Sequence, residues 1–172
     1  MLFRFREMKE QAGPIQQEDT VELEGLEKEH PDLVQLGPVE VTVTAWEDQG
    51  LYHLQGKQSA RATLRCSRCL TTHEETLSAD WHEVFTDDKD RLEASDEEDE
   101  IHPVSLDQPT DLTPYIREAL VLSLPFAPVC REDCKGLCPT CGINWNQESC
   151  QCDNRRVDPR LAKLEELLKR DD

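Results

Sequence analysis

Residues 129–152 read VCREDCKGLCPTCGINWNQESCQC, and six of the chain's eight cysteines fall within them. The other two, Cys66 and Cys69, stand upstream in LRCSRCL. The spacings are Cys66-x2-Cys69, then Cys130-x3-Cys134-x3-Cys138-x2-Cys141, then Cys150-x-Cys152. Two thiolates two positions apart grip one ion when the backbone between them turns tightly. Gly142, directly after Cys-Pro-Thr-Cys, lets backbone amides approach the sulfurs. A tetrahedral zinc site takes four such ligands at about 2.3 Å, so eight cysteines make two sites with none left over. The pattern therefore points to two Zn2+ ions held by Cys66, Cys69, Cys130, Cys134, Cys138, Cys141, Cys150 and Cys152.

Other thiol chemistries fit less well. The Cx2Cx2C run of bacterial ferredoxins is absent. A thioredoxin-like pair would need its CxxC inside βαβ units, which the pattern does not show. Catalytic zinc keeps one position open and often uses histidine. None of His30, His53, His73, His82 and His102 stands in metal-like spacing with the thiols, and solvent exposure is the default for His102. Closed, structural sites are expected. Short loops cost less entropy to close, which favours Cys138, Cys141, Cys150 and Cys152 as one local knuckle. Cys66, Cys69, Cys130 and Cys134 then form a second site between the hairpin tip and the segment after the helix at 111–124. A different split also stays open, with Cys130, Cys134, Cys138 and Cys141 together and Cys66, Cys69, Cys150 and Cys152 in the other set.

Working outward, the pattern before the cysteines is β. Val39, Val41, Val43 and Ala45 alternate with polar residues, which buries one face. Asp48-Gln49-Gly50 supplies a turn. LYHLQG and QSARATLRC follow as two runs, with Gly56 between them as a bulge or bend. In the second run Ala60, Ala62, Leu64 and Cys66 point one way, and Arg61, Thr63 and Arg65 the other. Leu77, Ala79, Trp81, Glu83 and Phe85 alternate again, which puts Cys66–Cys69 at a hairpin end. DLTPYIREALVLSL, residues 111–124, reads as a helix capped by Asp111 or Thr113, with Pro114 in its first turn. Its face of Leu112, Tyr115, Ile116, Ala119, Leu120 and Leu124 packs on the sheet. DPRLAKLEELLKRDD at the C-terminus reads as a short amphipathic helix. The expected fold is α+β: a small antiparallel sheet of about four strands, or an open barrel, with a packed helix, a cysteine-rich zinc-binding loop and a C-terminal helix. The expected organisation is an acidic segment at 1–36, a β-rich core at 37–129 with an acidic loop at 87–100, and a zinc-binding segment and helix at 130–172. In the first segment Leu2, Phe3 and Phe5 suit a short edge strand, and TVELEGLEKEHPDL suits either strand or loop.

The totals narrow the function. The 172 residues are 37% apolar, 5% aromatic and 33% charged, with net charge −18. That field opposes contact with phosphate backbones and anionic lipid and favours basic partners. MLFRFREMKEQ lacks the apolar core of roughly seven residues that a signal peptide needs, and no stretch approaches the eighteen or so apolar residues of a membrane span. A reducing cytoplasm is the expected compartment, and there eight cysteines mean metal or redox chemistry rather than disulfides. Residues 87–100 carry nine acids against two bases, a solvated tether. Residues 57–70 carry four bases and no acid, and residues 130–170 eight bases against seven acids, leaving −23 on the remainder. Arg61, Arg65 and Arg68 thus offer a local basic patch for RNA. The competing reading pairs them with nearby acids or with a tetrathiolate site.

CSRCL after a strand, REALVLSLPFAPVC and CKGLCPTCGINWNQESCQC together resemble the YceD family, whose members are called large ribosomal RNA subunit accumulation proteins. The resemblance covers roughly residues 37–170, with Trp145 where members commonly show Leu. Some members lack the second cysteine cluster, which implies that the Cys138–Cys152 knuckle is accessory. The resemblance implies a non-catalytic role in making or stabilising large-subunit ribosomal RNA. With the charge, it suggests binding to a basic large-subunit ribosomal protein or a pre-ribosomal particle. The alternative class is a metal- or thiol-dependent enzyme, a hydrolase or redox protein; no GxGxxG, P-loop or HExxH motif supports it.

Overall fold

Alternating small apolar and polar residues build three long strands. In a computed structural model, which describes residues 1–10, 13–94 and 101–154, these are β3 (Leu33–Asp48), β4 (Leu51–Arg65) and β5 (Thr72–Thr86). Val39, Val41, Val43 and Ala45 of β3 are buried, as are Tyr52, Leu54, Ala60, Ala62 and Leu64 of β4 and Leu77, Trp81 and Phe85 of β5. Gln49 and Gly50, with φ of 51° and 81°, form the two-residue β3–β4 turn. Positive φ at both positions matches the right-handed twist of the flanking strands.

β4 runs unbroken through Gly56, where a bulge or bend was expected. Gly56 sits in register between Val43 and Trp81. The register shifts lie instead in β3, between Leu33 and Gln35 and between Leu36 and Val39. Pro38 falls there and has no N–H to give the ladder. Gly56 answers to packing, because a Cβ at this position would fall on Cε2, Cζ2 and Nε1 of Trp81.

The segment before residue 37 supplies part of the core. β1 (Leu2–Phe3) pairs antiparallel with β7 (Thr110–Asp111) in a two-stranded sheet. α1 (Arg6–Glu10) follows. β2 (Ile15–Val21) pairs antiparallel with β3 along its whole length. α2 spans Leu26–Glu29. Phe3, Phe5, Met8, Val21, Leu23 and Leu26 are all buried. Phe5 meets the rings of Phe3, Tyr52 and Phe85 at 5.1, 5.4 and 5.0 Å between centroids.

The larger sheet has the order β2-β3-β4-β5-β6 and is open rather than closed into a barrel. β6 (Ile101–Pro103) joins parallel to β5, but only along Val84–Thr86. Part of the expected acidic tether is ordered: α3 spans Lys89–Ala94, and residues 95–100 lie outside the described ones. α4 (Thr113–Ser123) packs on β5 with Ile116 and Leu120 buried. Its N-cap position is Leu112, and the Asp111 carboxylate accepts from the Thr113 amide at 3.0 Å. His102 departs from the expected exposure. It is half-buried, 2.7 Å from the Glu83 carboxylate, and its ring packs on Phe85 and Tyr115.

The α+β class is as the sequence indicates. The described residues form two compact units, Met1–Ser67 with Thr71–Cys130, and Arg68–Leu70 with the described residues from Arg131 to Asn154. The C-terminal helix expected at 158–172 lies outside the described residues. No helix among the described residues is long and apolar enough to cross a membrane.

Candidate metal centres

All eight cysteines are outside disulfides. The structure gathers them into two sets of four. The sulfurs of Cys66, Cys69, Cys130 and Cys134 lie within 4.8 Å of one another, as do those of Cys138, Cys141, Cys150 and Cys152. These are the groupings that short-loop closure favours. Four sulfurs at about 2.3 Å around one ion stand roughly 3.8 Å apart, so each set has the donor chemistry and spacing for a single thiolate-bound metal.

The first set starts at the β4–β5 hairpin. Cys66 leaves β4 with its amide bonded to the Thr71 carbonyl at 2.9 Å. Ser67 donates both its amide (2.8 Å) and its hydroxyl (2.9 Å) to the Pro128 carbonyl, which ties the hairpin tip to the segment after α4. Cys66, Cys69 and Cys134 are buried and Cys130 is half-buried. Asn146 Nδ2 donates to Cys134 Sγ at 3.3 Å. The same side chain accepts from Arg131 (2.8 Å) and from the Lys135 amide (2.9 Å), which fixes its orientation. Such a donor neutralises part of a thiolate's charge and is the usual support around a metal ligand.

The second set is built on a tight ribbon. Leu137 bridges antiparallel to Asn144, the Cys138 amide donates to the Ile143 carbonyl at 2.8 Å, and the Gly142 amide to the Cys138 carbonyl at 2.9 Å. Gly142 turns the chain with φ 75°, a conformation that suits glycine. Amides of Thr140 and Cys141 reach the Cys138 sulfur, and that of Ile143 reaches Cys141. Trp145 Nε1 donates to Cys150 Sγ at 3.4 Å, and Asn154 Nδ2 to Cys138 Sγ at 3.6 Å. Sequence reasoning gave Trp145 no part in the site. Only its indole N–H, the donor to Cys150, marks the role.

The thiols divide sharply in acidity. Burial pushes Cys138 up, but the Cys141 and Thr140 amides and the Cys150 and Cys141 thiols outweigh it and bring it down to about 6. At Cys141 the Ile143 amide acts downward, and the Cys138 thiol and burial carry the net shift upward. The Cys141 thiol, then burial, then Cys150 and Cys138 push Cys152 up to about 12. One thiolate forms easily and opposes the next, since like charges this close disfavour each other. A divalent cation supplies the positive charge that lets all four ionise.

The three arginines of the candidate basic patch part company. Arg68 donates to the carbonyls of Glu132 and Cys134, both at 3.1 Å, and the Leu137 amide returns a bond to the Arg68 carbonyl at 3.2 Å. A Cβ at Gly136 would come within 3.0 Å of that carbonyl. Arg68 is therefore a brace within the cysteine unit. Arg61 and Arg65 are exposed on β4 and make no ion pair among the described residues. Neither cysteine set includes a histidine.

A small α+β sheet domain followed by a cysteine-only module, with N–H donors aimed at its sulfurs, defines a class of proteins whose thiols could hold metal. The chain belongs to the YceD family: the family model described as large ribosomal RNA subunit accumulation protein YceD matches residues 54–168. An uncharacterized protein of Bacillus subtilis, YlbN, is 32% identical over 99% of this chain and 96% of its own length. An uncharacterized Mycobacterium tuberculosis protein is 38% identical over 66% of this chain and 54% of its own. A maize protein named large ribosomal RNA subunit accumulation protein YCED homolog 1, chloroplastic, is 31% identical over 77% of this chain and 54% of its own. The chain thus spans about half the length of the mycobacterial and maize relatives. No solved structure gives a significant match.

Proposed function

We propose that this chain is a zinc-stabilised, non-catalytic factor in large ribosomal subunit biogenesis, acting in the cytoplasm to support accumulation of large-subunit ribosomal RNA. The observation that carries this reading is the match of residues 54–168 to a family named for that role. Each thiol set would hold one Zn2+, through Cys66, Cys69, Cys130 and Cys134 and through Cys138, Cys141, Cys150 and Cys152. The ion would lock the ligand-bearing loops into one conformation. Spacing within 4.8 Å suits one ion per set rather than the larger body of a multi-iron cluster. The partner is a basic large-subunit ribosomal protein or a pre-ribosomal particle, because a net charge of −18 draws basic surfaces and repels bare RNA. Any direct RNA contact falls to Arg61 and Arg65, since Arg68 is engaged with backbone carbonyls.

Depletion of the protein from a cell that makes it, followed by gradient fractionation, tests the role. The reading expects a fall in large-subunit RNA relative to small-subunit RNA, and the tagged protein in the pre-large-subunit fractions at low salt. Unchanged RNA ratios, with the protein only at the top of the gradient, would refute it.

A further inference from the structure

β5 is an unfinished edge. β4 pairs with it from Thr72 to Phe85, while β6 covers its other side only at Val84–Thr86. Among the described residues, no backbone hydrogen bond reaches the outer side of residues 72–83. Unpaired N–H and C=O groups in a row are a template for another strand. Beside this edge runs α4, and a groove of about 320 Å³ lies between them. Ala79, Trp81, Tyr115, Ala119 and Leu122 supply its apolar lining, and Leu122 is 78% exposed.

The lining also includes Asp80, Glu83 and Glu118 and no base. Glu83 is held by His102 at 2.7 Å, which leaves Asp80 and Glu118, both exposed, unpaired among the described residues. Burial, then the fields of Glu83 and Glu118, push the Tyr115 phenol above its ordinary range. Glu74 and Glu75 add charge along the same strand. Like charge opposes a second copy of this edge, and the same acids attract a basic strand.

We propose that the outer edge of β5 and the facing side of α4 form a docking groove for an extended basic segment of a partner protein, which adds as a strand to the sheet. Side chains alternate across a strand. The bound segment therefore alternates apolar residues, which face Ala79, Trp81, Ala119 and Leu122, with lysines or arginines that line the opposite face with Asp80, while Glu118 flanks the groove from α4 and meets basic residues at its rim. Strand addition supplies main-chain hydrogen bonds for affinity and side-chain pockets for selectivity. The inference rests on the reading of a basic partner and gives that partner a place to bind.

The test uses the full, metal-loaded chain and a fluorescein-labelled peptide alternating lysine and valine, followed by anisotropy at low salt. A glutamate–valine peptide and oligouridine serve as comparisons. Binding of the lysine–valine peptide alone is expected. Glu118→Lys should weaken it about tenfold, against threefold or less for the remote Glu22→Lys. Leu122→Glu is the discriminating variant: attraction by charge alone predicts tighter binding, and docking in the groove predicts weaker. Hydrogen exchange should slow at amides within residues 72–83. Equal losses for Glu118→Lys and Glu22→Lys, tighter binding by Leu122→Glu, or binding of oligouridine alone would overturn the groove. So would peptide binding that appears only after removal of residues 96–100, which would mean that the chain's own acidic segment covers the edge. If wild-type protein and Leu122→Glu co-sediment equally with pre-large-subunit particles, the groove fails and the functional reading stands. If the peptide binds the groove while wild-type protein never meets the particles, the groove stands and that reading fails.

Discussion

Gly56→Ala should be among the most damaging single-methyl changes available in the sheet. The added Cβ would meet the six-membered ring and Nε1 of Trp81, which crosses directly over Gly56. The indole is 8% exposed and has little room to swing. Its Nε1 donates to Gln58 Oε1 at 3.1 Å, and Gln58 Nε2 donates to the Ile116 carbonyl at 2.8 Å, linking β5, β4 and α4 through buried groups. Overpacking of this kind costs about 1–3 kcal/mol. Stranding the Gln58 acceptor costs another ~1–3 kcal/mol. Replacing glycine in a strand interior returns roughly 0.5–1 kcal/mol. The net loss comes to about 3 kcal/mol, measurable by urea unfolding at fixed metal content. A double-mutant cycle makes the reasoning sharper. Trp81→Ala alone should cost about 3–5 kcal/mol, and Gly56→Ala added to it should cost nothing further, because the clash has gone. If Gly56→Ala alone is neutral, or if the two changes prove additive, the packing argument is wrong.

Other perturbations probe separate parts of the account. Asn146→Ala removes the donor to Cys134 and should weaken metal binding by about ten- to a hundredfold in chelator competition; unchanged affinity would make Asn146 a mere turn residue. Trp145→Leu, which removes the indole N–H donor to Cys150, should release metal faster from the Cys138–Cys152 set while leaving the other set's release rate alone; equal acceleration at both would show general loosening instead. Asp87 accepts from Tyr52 at 3.1 Å and Lys9 at 3.2 Å. Burial acts to raise its carboxyl, and those two bonds outweigh it, so the folded value lies below the ordinary one. Its contribution is therefore present above pH ~4 and lost as pH falls through the folded value. Asp87→Asn should lower stability at neutral pH and flatten the acid limb of the stability profile, and a limb as steep as wild type would remove Asp87 from the explanation.

The strands of the core were legible because their periodicity is plain. Val39 to Ala45 and Ala60 to Leu64 alternate cleanly, and burial follows them. The cysteine groupings were legible because loop entropy favours near neighbours. β2 was hidden, because IQQEDTV carries polar residues on both faces and owes its place to pairing with β3 rather than to its own apolarity. Gly56 misled because a strand glycine can mean a bulge or a close approach, and only the partner at Trp81 decides which. His102 became half-buried through β6, a three-residue parallel strand too short to show any period. For Arg68 the sequence offered an RNA patch or pairing with acids or thiolates, because the carbonyls of Glu132 and Cys134 that it bonds lie far along the chain.

The central claim is that each set of four sulfurs encloses one divalent ion. Elemental analysis of the natively purified chain, paired with mass spectrometry before and after chelation and a count of reactive thiols, tests it most directly. Two zinc per chain and no reactive thiol until the chelator acts is the expected result. A metal-free chain with eight reactive thiols that still unfolds in one cooperative step would contradict it.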